Sequence, residues 1–114
     1  MKTIIAGSRN ITSFEVVNKA VEASGFKVTE VVSGTARGVD KLGEAWASYN
    51  RIPIKRFPAD WKRFGYNSAG YIRNAEMADY ADALIAVWDG ESRGTAHMIQ
   101  QAKLKDLRVF VWRK

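Results

Sequence analysis

A chain of 114 residues has room for one domain, spanning residues 1–114, and buries roughly 66% of its unfolded surface on folding. With 46% hydrophobic and 26% charged residues and no cysteine, it is neither disordered, collagenous nor membrane-embedded, and it holds no disulfide, thiol nucleophile or thiolate-bound metal. The 18 Lys+Arg against 12 Asp+Glu, net +6, favour an anionic partner without choosing among nucleotide, nucleic acid and membrane surface.

The chain opens on Ile4–Ala6, an apolar stretch too short for a signal peptide, and no run approaches membrane-spanning length, so a cytoplasmic location is expected. That run is read as the first of five strands; the others are Val28–Val32, Ile52–Phe57, Ala83–Trp88 and Val109–Val111. Their near-continuous hydrophobicity predicts strands covered on both faces, as in a mainly parallel sheet. Four helices are predicted between them. The first, Ser13–Ser24, begins with a Thr12/Glu15 capping box and ends at Gly25. The second, Gly38–Asn50, aligns Val39, Leu42, Trp46 and Tyr49 on one stripe. The third, Ser68–Tyr80, carries Ile72, Ala75 and Ala78, and the fourth, Gly94–Lys105, carries Met98, Ile99 and Ala102. Alternating strands and helices imply right-handed βαβ units, hence a small α/β three-layer sandwich. Pro53 assigns the third strand to an edge, which the order 3-2-1-4-5 satisfies with a switch point between strands one and four.

Ligands of such sheets sit beyond the carboxyl ends of the strands. The loops there are Gly7-Ser8-Arg9, Ser33 to Gly38, Pro58-Ala59-Asp60-Trp61 and Asp89 to Thr95. Three of the four combine glycine, a hydroxyl and an arginine. Glycine lets backbone N–H groups approach a phosphate, helix N-termini add donors and a positive dipole end, and arginine offers a planar fork. Short βα turns are glycine-rich for closure alone, but two such loops across one switch point favour a phosphate site. Gly7, Ser8, Arg9, Gly34, Thr35, Arg37, Gly38, Asn74, Gly90, Ser92, Arg93, Gly94 and Thr95 are the ligand-binding candidates. Asp60 and Glu91 are candidate ribose acceptors. Trp61 either stacks a base or caps the core, and it is the exception among four tryptophans otherwise read as core. Arg73 and Asn74 open the third helix; Arg73 either faces the crevice or pairs with Glu76 at i, i+3.

No dinucleotide-binding Gly-x-Gly-x-x-Gly, phosphate-binding Gly-x-x-x-x-Gly-Lys-[Ser/Thr] or zinc His-Glu-x-x-His occurs. A single histidine without cysteine disfavours a zinc site, and neither metal nor cofactor is expected. Gly90-Glu91-Ser92-Arg93-Gly94 matches a nucleophile elbow literally, yet the lone His97 lies on the helix that elbow would start and cannot reach back as base. The basic C-terminal end, Lys103 to Lys114, reads first as a solvated face and second as a nucleic-acid contact.

Ser33-Gly34-Thr35-Ala36-Arg37-Gly38-Val39-Asp40, Pro58-Ala59-Asp60-Trp61, Arg73-Asn74-x-x-Met77 and Trp88-Asp89-Gly90-x-Ser92-Arg93-Gly94-Thr95-Ala96 resemble motifs of the YAcAr family. This YspA/YpsA-related branch of the SLOG superfamily was formerly a domain of unknown function, and the resemblance runs over nearly the whole chain. It implies a Rossmann-like fold and frequent self-association. SLOG relatives include Lonely Guy phosphoribohydrolases, which cleave the base from nucleoside monophosphates. Others are sensors of NAD- or ADP-ribose-like molecules, and the DNA-processing protein A branch binds single-stranded DNA. Aligned with the Lonely Guy motif Pro-Gly-Gly-x-Gly-Thr-x-x-Glu, Gly94-Thr95 puts Met98 where the catalytic glutamate belongs, while Arg73 is similar in place to the catalytic arginine. Glu91, Glu76 or Asp89 would have to substitute.

The resulting expectation is a domain that binds a nucleotide or nucleotide-sugar derivative as sensor or sink, with weak N-glycoside hydrolysis left open. An active phosphoribohydrolase on nucleoside 5′-monophosphates, using Arg73 with Glu91 or Glu76, is the alternative, and a nucleic-acid module ranks behind both. The partner is a phosphate-bearing small molecule, with no membrane and with room for a homo-oligomer.

Overall fold

A computed structural model describes residues 1–66 and 68–114. The elements in chain order are β1 (Lys2–Gly7), α1 (Phe14–Ser24), β2 (Glu30–Ser33), α2 (Val39–Tyr49), β3 (Ile54–Arg56), α3 (Trp61–Phe64), α4 (Ala69–Tyr80), β4 (Ala83–Trp88), α5 (Arg93–Leu104) and β5 (Arg108–Arg113). The sheet runs β3-β2-β1-β4-β5 with every neighbouring pair parallel, as expected for a Rossmann-like fold.

Alternate strand residues feed two cores, because successive side chains leave opposite faces of a sheet. Ile4, Ala6, Val32, Leu84 and Ala86 meet Met77 and Ala78 of α4 and Met98, Ile99 and Ala102 of α5. Ile5, Val31, Ile85 and Val87 meet Val17, Ala20 and Val21 of α1 and Val39, Trp46 and Ala47 of α2. With β1 and β4 adjacent at the centre, the chain leaves one toward α1 and the other toward α5. These exits diverge to opposite faces, which opens a crevice at the carboxyl ends of the two strands.

Several expectations are corrected in detail. The α1 cap is Ser13, whose Oγ accepts from the Val16 N–H at 3.3 Å. With Ser13 as the cap, Glu15 falls at N2, one residue short of the N3 position that a capping box requires. β2 starts at Glu30, not Val28, because its partner β1 starts at Lys2, which pairs with Glu30. β3 starts after Pro53, which has no N–H to give, although its carbonyl accepts from Val31 at 2.9 Å. Tyr49 leaves the α2 stripe: the inward face runs through Val39, Gly43, Trp46 and Ala47, and Tyr49 is 81% exposed at the helix end. Trp88 and Trp112 are only partly buried against the two cores. The short α3 was not anticipated. It buries no residue, so it leaves no apolar period to read. Among the described residues no helix is long and apolar enough to cross a membrane.

Candidate functional site

Ser8 ties the loops of the crevice together. It is 1% exposed, and its N–H donates to Val87 O at 3.1 Å while its Oγ accepts from the Asp89 N–H at 3.0 Å. Its carbonyl accepts from Ile11 and from Val39, each at 3.4 Å. The chain enters α2 through Gly38, at φ +77°, where a Cβ would lie 2.4 Å from Ser8 O and 2.6 Å from Arg9 Cα. Only glycine allows that approach.

The β2–α2 loop is held in a costly shape. Thr35 has φ +66°, a conformation that branched side chains rarely adopt. It is kept there by its own N–H donating to Ser33 Oγ at 3.1 Å and by the next N–H, of Ala36, donating to Asp40 Oδ2 at 3.2 Å. Ser33 Oγ donates in turn to Glu44 Oε2 at 2.6 Å, and Glu44 also accepts from Arg56 Nε at 3.0 Å. Such local strain persists where the surroundings over-determine it, and it clusters at functional sites.

Arg73 and Asp40 meet across Gly34. Arg73, on the first turns of α4, is 8% exposed; its Nη1 donates to the Gly34 carbonyl and its Nε to Asn74 Oδ1 at 3.1 Å. Asp40 is 6% exposed on the first turn of α2. A Cβ on Gly34 would stand 2.7 Å from Asp40 Oδ2 and 2.9 Å from Arg73 Nη1. Burial raises the Asp40 carboxyl to about 6, against the lowering pull of the Ala36 N–H and the Arg73 charge. Burial likewise lowers Arg73, and Asp40 works against that. Arg73 is thus a buried cation beside a carboxyl that titrates close to neutrality.

On the opposite wall, Asp89 Oδ1 accepts from the N–H groups of Glu91 and Ser92, each at 2.8 Å, and these bonds hold its carboxyl below the usual range. Thr95 Oγ1 donates to Ser92 Oγ at 3.2 Å. The Ser92 side chain makes no capping bond to the backbone of α5, so the first-turn donors of that helix remain for another acceptor. Asn74 Nδ2 reaches Gly94 O at 3.3 Å and His97 Nδ1 at 3.2 Å, joining α4 to α5.

Between these walls lies a cavity of about 370 Å³ bordered by Gly7, Asp40, Arg73, Asp89, Thr95 and Met98. Two outer branches continue it. One, about 230 Å³, passes Thr35, Arg37 and Trp61; the other, about 250 Å³, passes Trp61, Tyr66 and Tyr71. Arg9 and Arg73 border all three spaces.

Of the residues expected from sequence, Gly7, Ser8, Arg9, Arg73, Asn74, Ser92, Gly94 and Thr95 come together around the main cavity. Gly34, Thr35 and Arg37 border the outer branch, and Gly38 packs behind it. Asp60 caps α3, accepting from the Arg63 N–H at 3.1 Å. Gly90 turns at φ +85° beneath the Arg113 guanidinium. Arg93, Glu91 and Glu76 are exposed and border none of these spaces, and Arg73 makes no ion pair with Glu76. The carboxylates at the main cavity are Asp40 and Asp89. Asp40 was not singled out from sequence, since an acidic residue in a first helical turn reads as a dipole partner. Tyr66, Tyr71 and His97 were also missed as site residues, having no spacing that sets them apart.

A solved structure of DNA processing protein A (DprA) from Streptococcus pneumoniae superposes with a TM-score of 0.75 at 18% identity, over 96% of this chain and 49% of that one. The chain therefore spans about half the length of that protein, and the likeness establishes the fold. Gene 61 protein of Mycobacterium phage D29 is 32% identical over 120 residues, covering 96% of this chain and 94% of the relative. The model of the YspA, cpYpsA-related SLOG family matches residues 1–64, which hold the β1 turn and the strained β2–α2 loop. With that match and a full-length relative, the chain belongs to the YAcAr family of the SLOG superfamily.

Proposed function

We propose that the crevice binds a nucleotide or nucleotide-sugar derivative, such as a nucleoside monophosphate or an NAD- or ADP-ribose-like molecule, as a sensor or sink. The observation that carries this reading is the buried Arg73, held across Gly34 from Asp40 and bordering a cavity that ends at the uncapped first turn of α5. A buried guanidinium and free helix N–H groups suit a phosphate, and a carboxylate within the same cavity suits ribose hydroxyls. Membership of the SLOG superfamily and the fold shared with DprA are consistent with nucleotide or nucleic-acid interaction.

N-glycoside hydrolysis is the second reading. It is favoured by Asp40, a carboxyl at about 6 beside a cation, the kind of group that exchanges protons near neutral pH. Hydrolysis would break the bond between C1′ and the base nitrogen, with water supplying the hydroxyl on C1′ and the proton on the base. In this chain Asp40 and Asp89 are better situated than Glu91 or Glu76 for that work.

The test is ultrafiltration of the protein with AMP, GMP, CMP, NAD, ADP-ribose and cyclic dinucleotides, with mass spectrometry of both fractions. Retention of an intact compound is the expected outcome; free base in the filtrate makes the protein a hydrolase. Arg9 is exposed and borders all three spaces, so Arg9→Ala should weaken retention about tenfold, the loss typical of one charged hydrogen bond. Passage of every compound unchanged would overturn the reading.

A further inference from the structure

Trp61, Tyr66 and Tyr71 are 43%, 90% and 44% exposed, and none of the three belongs to either apolar core. They are not scattered. The Trp61 and Tyr66 rings lie 5.3 Å apart at 37°, and Tyr71 is backed by the His97 imidazole at 4.3 Å and 33°. All three border the same branch of about 250 Å³, whose remaining walls include Arg9, Arg73 and Gly94. Water-exposed aromatic faces beside two arginines match a molecule with a flat ring at one end and negative charge at the other.

We propose that this branch is a nucleobase-stacking subsite: one planar heteroaromatic ring seats against Trp61, Tyr66 and Tyr71, and its sugar phosphate runs inward past Arg9 and Arg73. The inference rests on the nucleotide reading of the crevice and assigns the base end of the ligand. The wall is tied to the charged centre through side chains. Arg73 Nε donates to Asn74 Oδ1, which turns the Asn74 amide group toward His97 Nδ1 at 3.2 Å. His97 accepts there, so its proton resides on Nε2, and its ring supports Tyr71. The hydrogen-bonded pair Arg73 and Asn74 thereby supports the Tyr71 end of the aromatic wall through His97.

The experiment titrates AMP, GMP, CMP, UMP and ribose 5-phosphate into the wild-type chain, Trp61→Ala, Trp61→Phe and Tyr71→Ala by calorimetry. Trp61 is half exposed on a helix that buries nothing, so its variants should keep the wild-type circular dichroism. The tightest mononucleotide should bind at least about tenfold better than ribose 5-phosphate, the advantage expected of a stacked base. Trp61→Ala should erase most of that advantage, Tyr71→Ala part of it and Trp61→Phe least, with ribose 5-phosphate affinity unchanged in all three. Nucleotide and ribose 5-phosphate binding equally, or being weakened equally by Trp61→Ala, would overturn the base subsite and leave the phosphate site standing. Failure of all five compounds, and of NAD, ADP-ribose and cyclic dinucleotides titrated in the same way, to bind the wild-type chain would overturn both.

Discussion

Asp40 costs the fold stability at neutral pH. Its folded value of about 6 lies above the ordinary 3.8, so the folded state binds its proton more tightly than the unfolded chain does. The favourable contribution is complete below about 4, declines as pH rises toward 6, and is lost above that. The difference corresponds to about 3 kcal/mol at pH 7 relative to acid, at 1.36 kcal/mol per pKa step. Asp40→Asn keeps an oxygen to accept from Ala36 and removes the charge. Thermal unfolding should show a higher Tm for that variant at pH 7 to 8 and no advantage near pH 4. An equal gain at both pH values would mean that the carboxylate is not the source of the cost. On the proposed nucleotide reading, a carboxyl held at such expense beside the main cavity serves the ligand rather than the fold. Its burial was hidden in the sequence because it follows from the left-handed turn at Gly38, which brings the start of α2 against Ser8.

At the scale of elements, the caps and breakers decide the boundaries. Ser13 and Thr12 both offer a hydroxyl, but only Ser13 stands three residues before the N–H that is bonded. Ser13→Ala should cost about 1 kcal/mol and lower Tm by roughly 4 °C, while Thr12→Ala should leave it unchanged in the same melt. The four long helices and the three central strands were legible because each buries an apolar period, and Pro53 marked β3 as an edge. Strand ends were less legible, since Val28 is apolar yet has no neighbour in register beyond Lys2 and Glu30. The glycine, hydroxyl and arginine signals pointed to loops that the structure places around the crevice. Of the aromatic mouth the sequence singles out Trp61 as a candidate to stack a base; Tyr66 and Tyr71 escape because α3 is a single turn held by the Asp60 cap, with no buried face to announce the space it borders. Arg73 had two readings at its helical spacing, and only the packing of α4 on the sheet separates the inward one from a surface pair.

Across the whole molecule, the excess of +6 is partly local. Lys105 pairs with Asp79 at 2.8 Å, and the Arg113 guanidinium sits 5.6 Å from the centre of the Trp88 ring. A small ligand in the crevice would meet chiefly Arg9 and Arg73, which border all three spaces, whereas a nucleic-acid strand would recruit the wider basic surface. The two differ in response to salt. Nucleotide affinity measured by calorimetry should fall less than about tenfold between 50 and 200 mM salt, against 10³-fold or more for a strand making six or more phosphate contacts. A 20-nucleotide single strand that outcompetes mononucleotides and shows the steep dependence would make nucleic acid the partner.

Ser8 commits its N–H, hydroxyl and carbonyl to β4, to the turn at Asp89 and to the starts of α1 and α2. The rim rings of Trp61, Tyr66 and Tyr71 belong to neither apolar core, and of the three Tyr71 is backed by His97, which Asn74 holds. The molecule therefore divides into a chassis that tolerates little change and a faceplate that can be exchanged. If the proposed subsite holds, relatives built on the same chassis are free to diverge in what they recognise by altering three exposed rings, without renegotiating the fold beneath them.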